Sequence, residues 1–125
     1  MAKALICLHF NGLNDPKVRG TETFFRAASN GNLNLQADIA FGQAVQDGLM
    51  AGMRAIDMEA VRRGLKGDDQ TGPGALGLLT DKLLGNDRRT KKCVAAYIEL
   101  EFITNPAVDK LLISGSKAIA NRKAV

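Results

Sequence analysis

The sequence predicts an α/β domain in three layers, with a largely parallel sheet flanked by helices. Two observations carry that expectation. The runs "AKALICLH" and "CVAAYIELEF" are short and almost continuously apolar, the pattern of strands covered on both faces. Between them Leu35, Ile39, Gly42, Val45, Leu49 and Met53 recur at steps of three or four, which aligns them on one face of a helix of about five turns. At 125 residues the chain is the size of one domain, taken as residues 1–125.

The remaining segments fit around these. "NGLNDPKVRG" is rich in turn-forming residues and reads as a loop, which leaves His9 at the C-terminal end of the first strand. "TETFFRA" reads as a second strand, with Glu22 and Phe24 on one face and Thr23 and Phe25 on the other. "EAVRRGLKGDDQTGPG" ends the long helix and opens a glycine-rich loop; "ALGLL" reads as a short strand and "TDKLLGNDRRTKK" as a short helix or turn. In the last segment Thr104 or Asn105 caps a helix whose first turn holds Pro106. No repeat and no low-complexity stretch interrupts the chain.

Composition excludes several classes. A hydrophobic fraction of 46% with 24% charged residues is that of a folded domain rather than a disordered one. Ala4 to Asn14, the longest uncharged stretch, is too short to span a bilayer, and the first residues make a poor signal peptide, so no membrane partner and no export are expected. A cytoplasmic location, or release as phage lysins are released, is expected unless the chain is a fragment of an exported protein. Cys7 and Cys93 lie in apolar runs and read as buried free thiols. A net charge of +4 and a pI near 9.3 suit acidic partners, but the low aromatic content, 5%, gives nucleic acid little to stack on.

Chemistry concentrates at two strand ends. In parallel sheets ligands gather beyond the C-terminal ends of the strands, and both His9 and Glu99 are expected there. A carboxylate inside an apolar strand costs several kcal/mol unless it is paired, metal-bound or protonated. Two readings of Glu99 fit. It is either a general base beside a metal-ligating histidine or a structural carboxylate paired with an arginine such as Arg63. Cys7 shares a strand face with His9, which leaves open an improvised metal site of Cys7, His9 and Glu99.

"LICLHFNG", "RGTETFF", "RRGLK" and "YIELEFITNPAVDKLL" follow one another in the order and at about the spacing seen in the zinc-dependent N-acetylmuramoyl-L-alanine amidases of type 3. The sequence resembles the C-terminal two-thirds of that family. The resemblance implies hydrolysis of the amide joining muramic acid to L-alanine in peptidoglycan. It implies that His9 is a zinc ligand and that Glu99 activates the attacking water and protonates the leaving amine. Arg63 matches a position near the substrate cleft, and Asn11 a residue beside the metal-binding histidine; both are expected to bind substrate. Glu22 resembles the glutamate of a common Gly-x-Glu-Thr strand and is expected to be a surface or cleft-rim charge.

Two departures from the pattern matter. The family's other two zinc ligands lie upstream of the matched segment, so the fold is expected to be truncated at its N-terminus relative to the family, with zinc held by one family ligand and activity weak or absent in isolation. Glu101 stands where the family has glycine and, sharing a strand face with Glu99, is expected to raise the pKa of one of the two carboxyls. Exposed strand edges in such a domain favour self-association into a homo-oligomer. A non-catalytic binding or regulatory module that keeps the cleft is the alternative function.

Overall fold

The computed structural model describes residues 2–125. Four strands, β1 (Ala4–Asn11), β2 (Thr21–Phe25), β3 (Arg62–Gly67) and β4 (Val94–Phe102), form one sheet in the order β1-β4-β2-β3. β1 runs parallel to β4, and β2 to β3; β2 meets β4 antiparallel. The sheet is therefore mixed but largely parallel. Helices α1 (Leu35–Ile56), α2 (Asp81–Leu84), α3 (Pro106–Asp109) and α4 (Ala118–Ala124) complete the α/β architecture.

β4 is the spine of the domain. Its alternating side chains serve two separate cores: Ile98 and Leu100 pack against Met50 and Met53 of α1 and against Val108 and Leu112, whereas Ala95 and Tyr97 pack against Phe24 and Leu79. A strand covered on both faces reads as an unbroken apolar run, which is why "CVAAYIELEF" is legible as a central strand.

β1 is different. It lies at the sheet edge, and its side chains Ile6 and Leu8 are 54% and 60% exposed, so the expectation of cover on both faces fails for this strand. Its apolar run resembles a central strand because one face still packs on the Phe24–Tyr97 core through Leu5 and Cys7.

α1 spans the expected helix, with Gly42 and Met53 of the expected face buried and Val45 and Leu49 packed on the larger core, but its most buried stripe is shifted to include polar residues. Asp38, Gly42, Gln46, Met50 and Met53 face inward, and two of them are polar. Thr23 Oγ1 donates to Gln46 Oε1 at 2.6 Å, and Gln46 Nε2 donates to the Thr21 carbonyl at 3.1 Å. Asp38 accepts a bond from the Ala95 backbone N–H at 3.0 Å. These bonds satisfy buried polar groups and tie the helix to β2 and β4.

Elsewhere the glycine-rich stretch holds a strand, β3, and "ALGLL" forms a 3-10 turn at Gly77–Leu79 instead of a strand. Asn105 is the cap of α3, its side chain accepting from Ala107 and Val108 N–H ahead of Pro106. The chain then widens into a π-helical turn, Lys110–Ser114, and bends sharply at Gly115. A Cβ at Gly115 would lie 2.0 Å from the Lys110 carbonyl oxygen. Asn121 and Arg122 of α4 donate back to the Leu111 and Leu112 carbonyls that this turn exposes.

Met53 is fully buried and Met58 is 93% exposed. Met53→Ala is expected to lower unfolding free energy by about 2–5 kcal/mol, and Met58→Ala by less than about 0.5 kcal/mol, in urea denaturation followed by circular dichroism.

Candidate active site

Strand pairing sets three side chains in a row across the sheet. His9 of β1 is the register partner of Glu99 of β4, and Glu99 is the register partner of Glu22 of β2. The row sits on the face of the smaller core, at the end of β1 and of β4 where both approach their C-termini. Beside it opens a cleft of about 360 Å³, lined by Asn11, Glu22, Arg63, Lys66 and Glu99 and by the Gln70–Pro73 loop.

Two carboxylates directly opposite one another on neighbouring strands repel. Glu22 resolves the conflict by taking partners. Its Oε2 accepts from Lys66 Nζ at 2.5 Å and from Arg63 Nε at 2.9 Å, while Oε1 accepts from Asn11 Nδ2 at 3.1 Å. Burial pushes the Glu22 carboxyl up, but the bonds from Lys66 and Arg63 outweigh it and hold the pKa below the ordinary carboxylate value.

Glu99 has no such partners. Its Oε2 is buried without a hydrogen bond among the described residues. Burial raises its pKa; the nearby His9 lowers it and the Glu22 charge raises it, with a net upward shift. A carboxyl that is half-buried, unpartnered and open to a cleft is poised to exchange a proton with whatever enters.

His9 is exposed and stacks on Tyr97 with ring centroids 5.4 Å apart. It stands beside Glu99 at the rim, while Asn11, Arg63 and Glu99 line the cleft itself. The four residues singled out in the sequence are thus gathered at one end of the sheet.

Three expectations are corrected. Arg63 pairs with Glu22, so the structural reading in which it neutralises Glu99 does not hold. Glu22 is 4% exposed and sits at the centre of the network, not on the surface. Glu101 does not face Glu99. An extra residue in β4 between the pairs His9–Glu99 and Asn11–Phe102 breaks the alternation, and Glu101 instead accepts from Gly20 N–H at 2.5 Å and pairs with Arg19, itself bound to Asp57. Glu22, not Glu101, is the carboxylate that raises the Glu99 pKa.

Lys66 escapes the sequence because its strand does. Plain alternation would send residues 63 and 66 to opposite faces. Gly64 adopts φ +86° beside a register shift against β2, and this irregularity lets both cations reach one carboxylate.

The metal expectation meets a limit. Among the described residues no group of three or more His, Cys, Asp and Glu side chains gathers where it could hold a metal ion, so this chain's own residues do not fit a catalytic zinc. Cys7 gives no help: burial, then the charge of Glu99, pushes its thiol pKa up, away from the thiolate that metals prefer. Cys93 is a buried free thiol, as expected; Cys7 is free but only partly buried.

Opposite pH signatures follow. The low pKa of Glu22 contributes stability that is present above the unfolded carboxylate value and lost as pH falls through the folded value. Glu22→Gln is therefore expected to destabilise at pH 7 by about 1.5–3 kcal/mol, the worth of a hydrogen bond to a charged group, and by less in acid. The raised pKa of Glu99 has the reverse sign, because ionising it costs the folded state. Glu99→Gln is expected to melt higher than the wild type at pH 8 and alike at pH 3, by calorimetry.

No protein-family model matches the sequence, and no curated protein matches it. Solved structures do. An N-acetylmuramoyl-L-alanine amidase from Clostridium difficile 630 superposes with a TM-score of 0.62 at 18% identity over 98% of this chain and 53% of its own. The CwlD amidase of Clostridioides difficile, solved with the GerS lipoprotein, gives 0.60 at 16% identity over 98% and 50%. AmiC2 of Nostoc punctiforme, also an N-acetylmuramoyl-L-alanine amidase, gives 0.56 at 14% over 98% and 53%. The chain spans about half the length of these proteins, and what it shares with them is the fold of N-acetylmuramoyl-L-alanine amidases.

Proposed function

We propose that this chain carries the acid–base half of a peptidoglycan amidase site, acting on the amide between muramic acid and L-alanine. The observation that carries the reading is Glu99: a raised, unpartnered carboxyl at the head of a cleft, on a fold shared with amidases. In this reading Glu99 takes a proton from the attacking water and returns it to the leaving amine, which suits a carboxyl whose pKa is shifted toward neutrality. Arg63 and Asn11 bind substrate along the cleft wall.

His9 is the residue that would offer a nitrogen to zinc, and zinc would supply a Lewis acid to the amide carbonyl. The remaining ligands have to come from outside the described residues. β1, which bears His9, is the edge strand, so a polypeptide that pairs with its free edge, a second copy included, sets its side chains next to His9. The absence of a three-donor group among the described residues favours a second reading, a binding module that retains the cleft without hydrolysis.

Calorimetric titration of metal-stripped protein with zinc, wild type beside His9→Ala, separates the two. Stoichiometric binding that His9→Ala abolishes, with release of amine from a muramoyl-peptide that Glu99→Gln abolishes, is the result the hydrolase reading requires. Absence of zinc binding and of hydrolysis leaves the binding module.

A further inference from the structure

We infer that the Lys66–Arg63 wall of the cleft is a carboxylate subsite, selecting peptide ligands that bear a free carboxylate one or two residues from the amide presented to Glu99. This deepens the amidase reading and rests on it for the position of the amide.

Charge in the cleft is divided. Glu99 stands toward β1, and both cations stand toward β3. On the β3 side a single carboxylate, Glu22, faces two cations, so that side keeps one positive charge in excess. Glu22 is also the less available partner: its side chain is 5% exposed, against 33% for Arg63 and 27% for Lys66. The negative member of the cluster is thus sunk in the sheet while its positive members reach the cleft. Arg63 meets Glu22 through Nε, and no Nη atom of Arg63 is hydrogen-bonded among the described residues. A guanidinium with its fork free beside an ammonium is a strong receptor for a carboxylate.

The arrangement is held in advance. Glu22 anchors the Lys66 ammonium and Arg63 Nε, and the Arg63 guanidinium lies 5.1 Å from the centroid of the buried Phe102 ring, so both cations are oriented before a ligand arrives. Spacing then limits the ligand. Glu22 and Glu99 are register partners on neighbouring strands, which are about 5 Å apart, and both cations end at the Glu22 carboxylate, so a carboxylate held by Lys66 and Arg63 lies roughly 5–7 Å from an amide above Glu99. That is the span of one or two amino-acid residues.

The test is nuclear magnetic resonance titration of the whole chain with N-acetyl-L-alanyl-L-glutamate and with the same dipeptide amidated at both carboxyls. The diacid is expected to bind at least about tenfold more tightly, which is about 1.4 kcal/mol, and to shift the backbone signals of Lys66 and Gly72. Lys66→Met is expected to erase the preference and Lys66→Arg to keep it; both retain the Arg63–Glu22 bond, and a preserved spectrum reports the fold. Equal binding of the two dipeptides, binding of neither at millimolar concentration, or a preference that survives in Lys66→Met overturns the subsite. Carboxylate selectivity in a protein that hydrolyses nothing removes the amidase reading alone, and hydrolysis indifferent to the carboxylate removes the subsite alone.

Discussion

The register of β4 between β1 and β2 is the constraint on which the site depends. It sets Glu99 opposite Glu22 on one side and opposite His9 on the other. Two carboxylates so close cannot share one environment, and the protein settles the conflict unequally. Glu22 receives Lys66, Arg63 and Asn11; Glu99 receives no hydrogen bond at Oε2 among the described residues. One carboxyl is held as an anion and becomes structural, while its neighbour is left able to move a proton. This division of roles between paired carboxyls is a recurrent basis of acid–base chemistry.

Both cations in that division are supplied by a departure from regular structure. The irregularity at Gly64 brings Lys66 and Arg63 to the same carboxylate. The extra residue in β4 beyond Glu99 turns Glu101 away, to Gly20 and Arg19, so that a third carboxylate does not crowd the row. Beneath the sheet Gln46 and Asp38 fix α1 to β2 and β4 through buried hydrogen bonds, keeping the strands that bear the row in register. An apolar helix face alone would allow sliding; hydrogen bonds with one geometry do not.

What could be read from the residues follows from the same distinction. Central strand β4, helix α1 and the Asn105 cap were legible because continuous apolarity, a period near 3.6 and an Asn-Pro pair each have one dominant physical cause. The ends of β1 and β4 drew His9 and Glu99 to attention for the same reason: polar residues that terminate apolar runs. β3 is not legible, because "RRGLKG" has no alternation and a single large apolar residue, Leu65, and its strand pairs with β2. Glu22 reads as a surface or rim charge because its burial depends on cations supplied from that strand. The edge position of β1 was hidden because a strand with one core-facing side and one bare apolar side has the same composition as a central one.

The fold is shared with N-acetylmuramoyl-L-alanine amidases over about half their length, and amide hydrolysis is the chemistry proposed for the carboxyl pair it carries. The splitting of the pair is tested most directly by side-chain carboxyl carbon shifts measured against pH. Glu99 is expected to titrate above the ordinary glutamate value and Glu22 below it in the same sample. A Glu99 that titrates at or below the ordinary value would mean that it has found partners, and the assignment of acid–base chemistry to it would fall.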